Sequence, residues 1–296
     1  MAQAASESAG RWQGPPRRSE ARWRALPREL MLVVAGIAVY FGVRGLTETN
    51  PGQAVDNALD VVQLESHLGI YVEPALQGVV TGSTAAMTAM NWVYIWGHWP
   101  VIAAVLLWLF LRHPDGYRQV RTTLVLSGGI GLVIFALFPV APPRLAELGL
   151  VDTVTDFSSS YRVLQPPAFV NQYAAMPSLH VGWDLLMGYA LFTWGQHRLL
   201  RAVGLVLPLL MAAAVVLTAN HYLVDAVAGA SLVVACLYLV RRHELRRAAM
   251  TPPPDVVTLP SQRTEGHRSP VARQLQRASV PRQQPDPESL DLRQHC

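Results

Sequence analysis

Long apolar runs alternate along the chain with short polar breaks that carry arginine. A helix that crosses a bilayer needs about 20 mostly apolar residues. Six runs meet or approach that length: Leu30–Leu46, Trp92–Leu111, Thr122–Phe138, Val181–Trp194 with a few residues before it, Ala202–Thr218 and Tyr222–Val240. The pattern predicts an all-α integral membrane protein built as a six-transmembrane-helix bundle. Between the first two runs, Thr47–Asn91 places Val55, Leu59, Val62 and Leu68 at near-helical spacing, with Asp56, Asp60 and Glu65 among them. That spacing predicts one or two amphipathic helices lying at an interface. Val140–Pro177 is rich in Pro and Ser and has no period, so a loop is expected there. From Thr251 the chain turns polar after Pro252, Pro253 and Pro254, the composition of a disordered tail. Three regions follow: a basic tail over residues 1–27, a membrane domain over 28–242 and a second tail over 243–296.

Composition sharpens this picture. Of 296 residues, 51% are hydrophobic and 15% charged, against about 25% charged in an average soluble domain. An ordinary soluble domain is excluded. All 24 basic residues are Arg and none is Lys, which excludes a lysine Schiff base and a P-loop lysine. Cys236 and Cys296 form no disulfide framework and no zinc motif. The first apolar run follows an Arg-rich tail and lacks a small-residue cleavage site, so it is expected to remain as a span.

Arginine placement sets the sidedness. Arg24 and Arg28 precede run one, Arg112, Arg118 and Arg121 separate runs two and three, Arg198 and Arg201 separate four and five, and Arg241, Arg242, Arg246 and Arg247 follow six. The other connections hold only Arg44, Arg144 and Arg162. Short basic loops stay cytoplasmic. A multi-pass cell-membrane protein with both termini inside is expected, its amphipathic helices and the Val140–Pro177 loop outside.

Ionisable groups at membrane depth are costly and usually functional. Here they gather at the predicted outer ends of the spans: Asn91, Tyr94 and His98 before span two's core, Arg144 after span three, Ser178, His180 and Asp184 at the start of span four, and His221 and Asp225 at the start of span six. Asn91, Tyr94 and His98 share a helix face, and Trp92, Trp96 and Trp99 form a belt on another. His221 and Asp225 are four apart and share a face, with Gly229 four further on to admit a neighbouring helix. Ser178 after Pro177 starts a helix whose first amides could receive an anion. His180 and Asp184, four apart, could form a second helical pair, although Asp184, beside Trp183, is expected to face water. Singly, each has a bland reading: His98 as an interfacial histidine, Arg144 as a snorkelling charge, His221–Asp225 as a structural pair. Together at one face they favour a site.

Two histidines, an aspartate and an arginine beside helix amides suit phosphoryl transfer without a metal. One neutral imidazole attacks phosphorus, a protonated one serves the leaving alkoxide, and Arg and amides hold the oxygens where charge develops. A transporter or proton relay could use the same groups, although they cluster at one end and no inverted repeat is evident. A metal site on His98, His180, His221 and Asp225 is a third reading, and no His-x3-His pair supports it. No metal, cofactor or nucleic acid is expected; the bilayer and a lipid phosphate are the expected partners.

At Pro177-Ser178-Leu179-His180 and His221-x3-Asp225, followed by Gly229, the sequence resembles the type 2 phosphatidic acid phosphatase superfamily of membrane enzymes. The resemblance spans residues 28–242 and implies a six-helix core with the active site on the outer side. It implies His221 as nucleophile, Asp225 as its orienter, His180 as general acid and base, and Ser178 with its amide at the phosphate. Arg144 stands where the first signature's Arg-Pro is expected, but Leu145 follows it and no Lys stands seven before. The third signature's Arg, six before the nucleophile, is Val215 here. His98, Tyr94 and Asn91 are candidates to take the place of those missing phosphate cations. Leu179 in place of Gly, the Asn91-x2-Tyr94-x3-His98 run and Asn220-His221-Tyr222 are similar to the branch of inositol phosphorylceramide synthase. Water, inositol and other lipid hydroxyls stand as possible acceptors.

Overall fold

The computed structural model describes residues 26–29, 31–36, 38–39, 42, 51–157 and 171–250. The predicted span Leu30–Leu46 extends outside these residues, as do the tail before residue 26, the tail from Thr251 and part of the Val140–Pro177 connection. From Pro51 on, the described residues form nine α-helices: α1 Pro51–Leu68, α2 Glu73–Thr81, α3 Thr84–Trp96, α4 Trp99–Arg112, α5 Pro114–Leu137, α6 Thr153–Phe157, α7 Leu179–Trp194, α8 Arg198–Leu217 and α9 Leu223–Met250. A 3-10 turn occupies Pro143–Leu145. No strand is present among the described residues; Val140 and Ala174 form an isolated parallel bridge.

Three helices are long and apolar enough to cross a membrane, α5, α8 and α9, and the pair α3–α4 makes a fourth if taken as one bent span. The second predicted run is thus not one helix. It bends by 42° where Gly97 and His98 interrupt the ladder and Pro100, lacking an N–H, opens the next helix. The fourth run is a 16-residue helix. Helices α5 and α9 also outrun their hydropathy. Pro114 and Asp115 start α5 eight residues before Thr122, and α9 continues through four arginines to Met250.

Helix α7 lies at the centre. Val181, Gly182, Asp184, Leu186, Met187, Gly188, Ala190 and Leu191 are all buried, so protein covers it nearly all round. Between helices in lipid there is no water to expel, and association rests on close packing. The sequence supplies it at two crossings. A Cβ on Gly188 would lie 2.3 Å from the Gly204 carbonyl oxygen of α8, and one on Gly229 of α9 would lie 2.0 Å from the Ser178 carbonyl oxygen. Large apolar side chains such as Leu107, Val133, Leu137, Leu209 and Val227 point outward.

The Thr47–Asn91 connection differs from expectation in the face it buries. Helix α1 buries Ala54, Ala58, Val61 and Glu65, while Leu59 and Leu68 are exposed. The small residues at i, i+4 and i+7 let α1 approach Val140, Ala141, Ala175 and Tyr222. Of the expected stripe, Leu59 and Leu68 face away from the protein, while Val55 and Val62 pack partly buried against the same cluster. Glu65, expected among the wet positions, is fully buried.

Candidate active site

His221 lies in the tight connection between α8 and α9, where its amide and that of Asn220 both donate to the Val215 carbonyl. That bond pair fixes the direction in which the imidazole leaves the backbone. Its Nδ1 lies 2.8 Å from the Ala175 carbonyl oxygen and 3.5 Å from Asp225 Oδ2. A carbonyl oxygen only accepts, so Nδ1 carries the proton and Nε2 carries the lone pair. Nε2 points at His180 Nδ1, 3.4 Å away. Asp225, fully buried, also accepts from the Tyr222 amide at 2.9 Å. The orienting role expected of Asp225 is therefore shared with a backbone carbonyl that no residue type in the sequence could announce.

His180 is the second residue of α7, and α7 is locked to α9 at its very start. The Ser178 amide donates to the Asp225 carbonyl at 3.0 Å, and Gly182 stands against Gly229. Ser178 Oγ accepts from the Val181 amide as N-cap. Ser178 thus differs from expectation: its amide is committed to α9, and its hydroxyl hydrogen remains to donate.

His98 occupies the break between α3 and α4. Its ring centroid is 4.3 Å from that of His180, and Tyr94 stacks on His180 from 4.7 Å. His98 Nδ1 lies 3.0 Å from Asp184 Oδ1, both residues buried. Asp184 therefore does not face water. It faces inward on α7 and bonds the histidine of another helix, so a second His–Asp pair backs the first. The spacing of His180 and Asp184 pointed to a pair within α7 and concealed this long-range one. Trp183 stacks nearly parallel on His98 at 5.9 Å, and its indole N–H donates to Ser127.

Arg144 is held by three bonds. Its amide donates to Ala219 O, its Nε to Asp152 Oδ2 at 3.1 Å and its Nη1 to Asn220 Oδ1 at 2.6 Å. Asn220 is the neighbour of His221, which brings the guanidinium to the connection between α8 and α9. Asn91 belongs to the frame. Its Nδ2 donates to Thr153 O, and its Oδ1 accepts from Thr153 Oγ1. Gln77 grips Val151 through both side-chain atoms. Together they fasten the Val151–Phe157 segment beside the site. Asn91 is thereby a strut and does not face the histidines. Val215, in place of the family arginine, is part of the apolar core with Tyr94, Val181 and Met211. No group of three metal-ligating side chains is arranged to hold an ion among the described residues.

A family model described as the PAP2 superfamily matches residues 59–239. The chain belongs to the PAP2 superfamily. No curated protein and no solved structure matches it. PAP2 superfamily members are phosphatases and phosphotransferases, and membership supports an enzyme that acts on lipid phosphates. The matched span holds His98, Asp152, His180, Asp184, His221 and Asp225, and it ends on the apolar part of α9.

Proposed function

We propose that the protein is a metal-independent phosphoryl-transfer enzyme that works on a lipid phosphate through a phosphohistidine on His221. One observation carries this reading. The lone pair of a buried imidazole, its tautomer fixed by Ala175 and Asp225, is aimed at a second imidazole. Nε2 of His221 attacks phosphorus as His180 turns from the lone pair to the leaving oxygen. The P–O bond breaks, and the His180 imidazolium gives its proton to the departing alkoxide. In the second half, neutral His180 takes a proton from the incoming hydroxyl, whose oxygen attacks phosphorus. The P–N bond breaks and His221 is restored. Developing charge on the non-bridging oxygens is met by Arg144, the Ser178 hydroxyl and His98, whose ring is held from behind by Asp184. Tyr94 holds the His180 ring by stacking, and Asn91 holds the frame.

The enzyme crosses the cell membrane six times, counting Leu30–Leu46 and α7, with both termini cytoplasmic and the site on the outer side. The substrate's tail stays in the bilayer while its phosphate reaches the histidines. The arginine pattern supports this sidedness. Leu179, the Asn91-to-His98 run and Asn220-His221-Tyr222 favour transfer to an alcohol of the inositol type over simple hydrolysis, as in the inositol phosphorylceramide synthase branch.

The test is product analysis with purified protein and phosphate-labelled phosphatidic acid, polyprenyl phosphate and phosphatidylinositol, with and without inositol, in excess chelator. Turnover that His221→Ala and His180→Ala each abolish in folded protein supports the assignment. Near-normal rates in either variant, or a need for added metal, overturn it.

A further inference from the structure

The start of α9 is held by carboxylates from two other helices. The first N–H groups of a helix have no partner within it. In α9 and the residue before it, three consecutive amides are each met by a carboxylate: Tyr222 by Asp225, Leu223 by Glu73 Oε1 at 2.9 Å, and Val224 by Glu65 Oε1 at 2.7 Å. The two glutamates come from α2 and α1, about 150 residues away in sequence. Both are fully buried. No ion pair among the described residues reaches either one. Their second oxygens, Glu65 Oε2 and Glu73 Oε2, are buried without an acceptor or donor, as is Asp225 Oδ1.

Three carboxylates in one dry pocket do not all ionise, because each further charge is both desolvated and repelled. A proton held between Glu65 and Glu73 removes one charge and supplies the missing donor. We propose that Glu65 and Glu73 are positioning residues for the transfer at His221, a proton-sharing pair that fixes the first turn of α9 behind the nucleophile. The inference rests on the assignment of His221 above.

The surroundings agree with it. Burial first, and the charges of Glu73 and Asp225 after it, push Glu65 up to about 8. The other titratable groups facing the pair are Tyr71 and Tyr222, both phenols. Burial beside the two glutamates raises Tyr71. Among the described residues no cation faces the pair to replace the proton. Above pH about 8, loss of that proton leaves adjacent like charges against Asp225 and loosens the turn that aims His221.

The test compares wild type, Glu65→Gln and Glu65→Ala on dioctanoyl phosphatidic acid in micelles, with His221→Ala as control. Gln keeps the acceptor for Val224 and donates to Glu73 without a titrating proton. Between pH 7 and 9.5 wild-type kcat should fall at least about fivefold further than that of Glu65→Gln, which keeps only the alkaline fall set by the general acid His180. Glu65→Ala should lose about 10- to 100-fold in kcat with KM within about threefold, and Glu65→Gln should restore most of it. Independently of substrate, hydrogen exchange in the peptide covering residues 221–226 should quicken about tenfold or more in Glu65→Ala. Should Glu65→Ala fail to fold, the Glu65→Gln profile decides alone. An unchanged alkaline fall in Glu65→Gln, or wild-type kcat in Glu65→Ala, overturns the inference. If His221→Ala is inactive in that same experiment, the nucleophile assignment survives its failure; an active His221→Ala removes both.

Discussion

Asp225→Asn separates two ways of holding the nucleophile. Where a carboxylate is the sole acceptor for Nδ1–H, its amide lets the imidazole take the wrong tautomer, and losses near 10,000-fold are known for such triads. Here the Ala175 carbonyl accepts at 2.8 Å, nearer than Asp225 at 3.5 Å, so the tautomer survives the substitution. What is lost is the charge. As Nε2 bonds to phosphorus the ring becomes cationic, and a full charge 3.5 Å from Asp225 is worth about 5 kcal/mol at an effective dielectric near 20. A half-developed charge in the transition state is worth about half that. At about 1.4 kcal/mol per decade, kcat should fall between about 50- and 3,000-fold, with KM little changed. The assay is steady-state release or transfer of labelled phosphate from phosphatidic acid in micelles, on protein shown by size-exclusion to be folded. A loss under about tenfold would mean that the carboxylate charge does not assist. A loss equal to that of His221→Ala would mean that Ala175 does not hold the tautomer.

Three further outcomes are expected. Gly229→Val places side-chain carbon against backbone atoms, with a Cβ 2.0 Å from the Ser178 carbonyl oxygen. It should therefore cost about 3 kcal/mol or more in stability and part α7 from α9, whereas Gly129→Ala, with open space at its Cβ, should leave melting and turnover unchanged or slightly improved. The folded protein holds the Glu65 proton up to about pH 8 against an ordinary value of 4.5. It thus binds more protons than the unfolded chain in that window, and stability should decline as pH rises from about 5 to about 8 and then level; melting in detergent across this range should flatten in Glu65→Gln, and a wild-type curve that rises instead contradicts the buried protonated pair. With Cys236 and Cys296 replaced by Ser, an impermeant thiol reagent should label Ser158→Cys on intact cells and Ser261→Cys only after permeabilisation, and the reverse pattern would invert the topology.

Periodicity and charge placement made the helical class legible, because lipid leaves backbone groups no partner except the helix itself. The histidines and Asp225 were legible too, since costly groups in an apolar run stand out. The rest hid for specific reasons. Hydropathy cannot register the bend at Gly97 and His98, as both flanks are equally apolar. The packed face of α1 is built from Ala54, Ala58 and Val61, and its small side chains carry less hydropathic signal than the exposed Leu59 and Leu68. Asp184 was masked by its local spacing to His180, while its partner His98 lies 86 residues away. Ala175 acts through a carbonyl that any residue would offer. Glu65 read as a wet position because its partner is a backbone amide of a distant helix, and Glu73 carried no local signal for the same reason.

The central claim is that His221 becomes phosphorylated during turnover. Phosphate-labelled phosphatidic acid, mixed with the protein and quenched in alkali, should leave label in a form stable to base and labile to acid. Peptide mapping should place that label on His221, and His221→Ala should carry none. Turnover with no labelled histidine, or label on any other residue, would contradict the account.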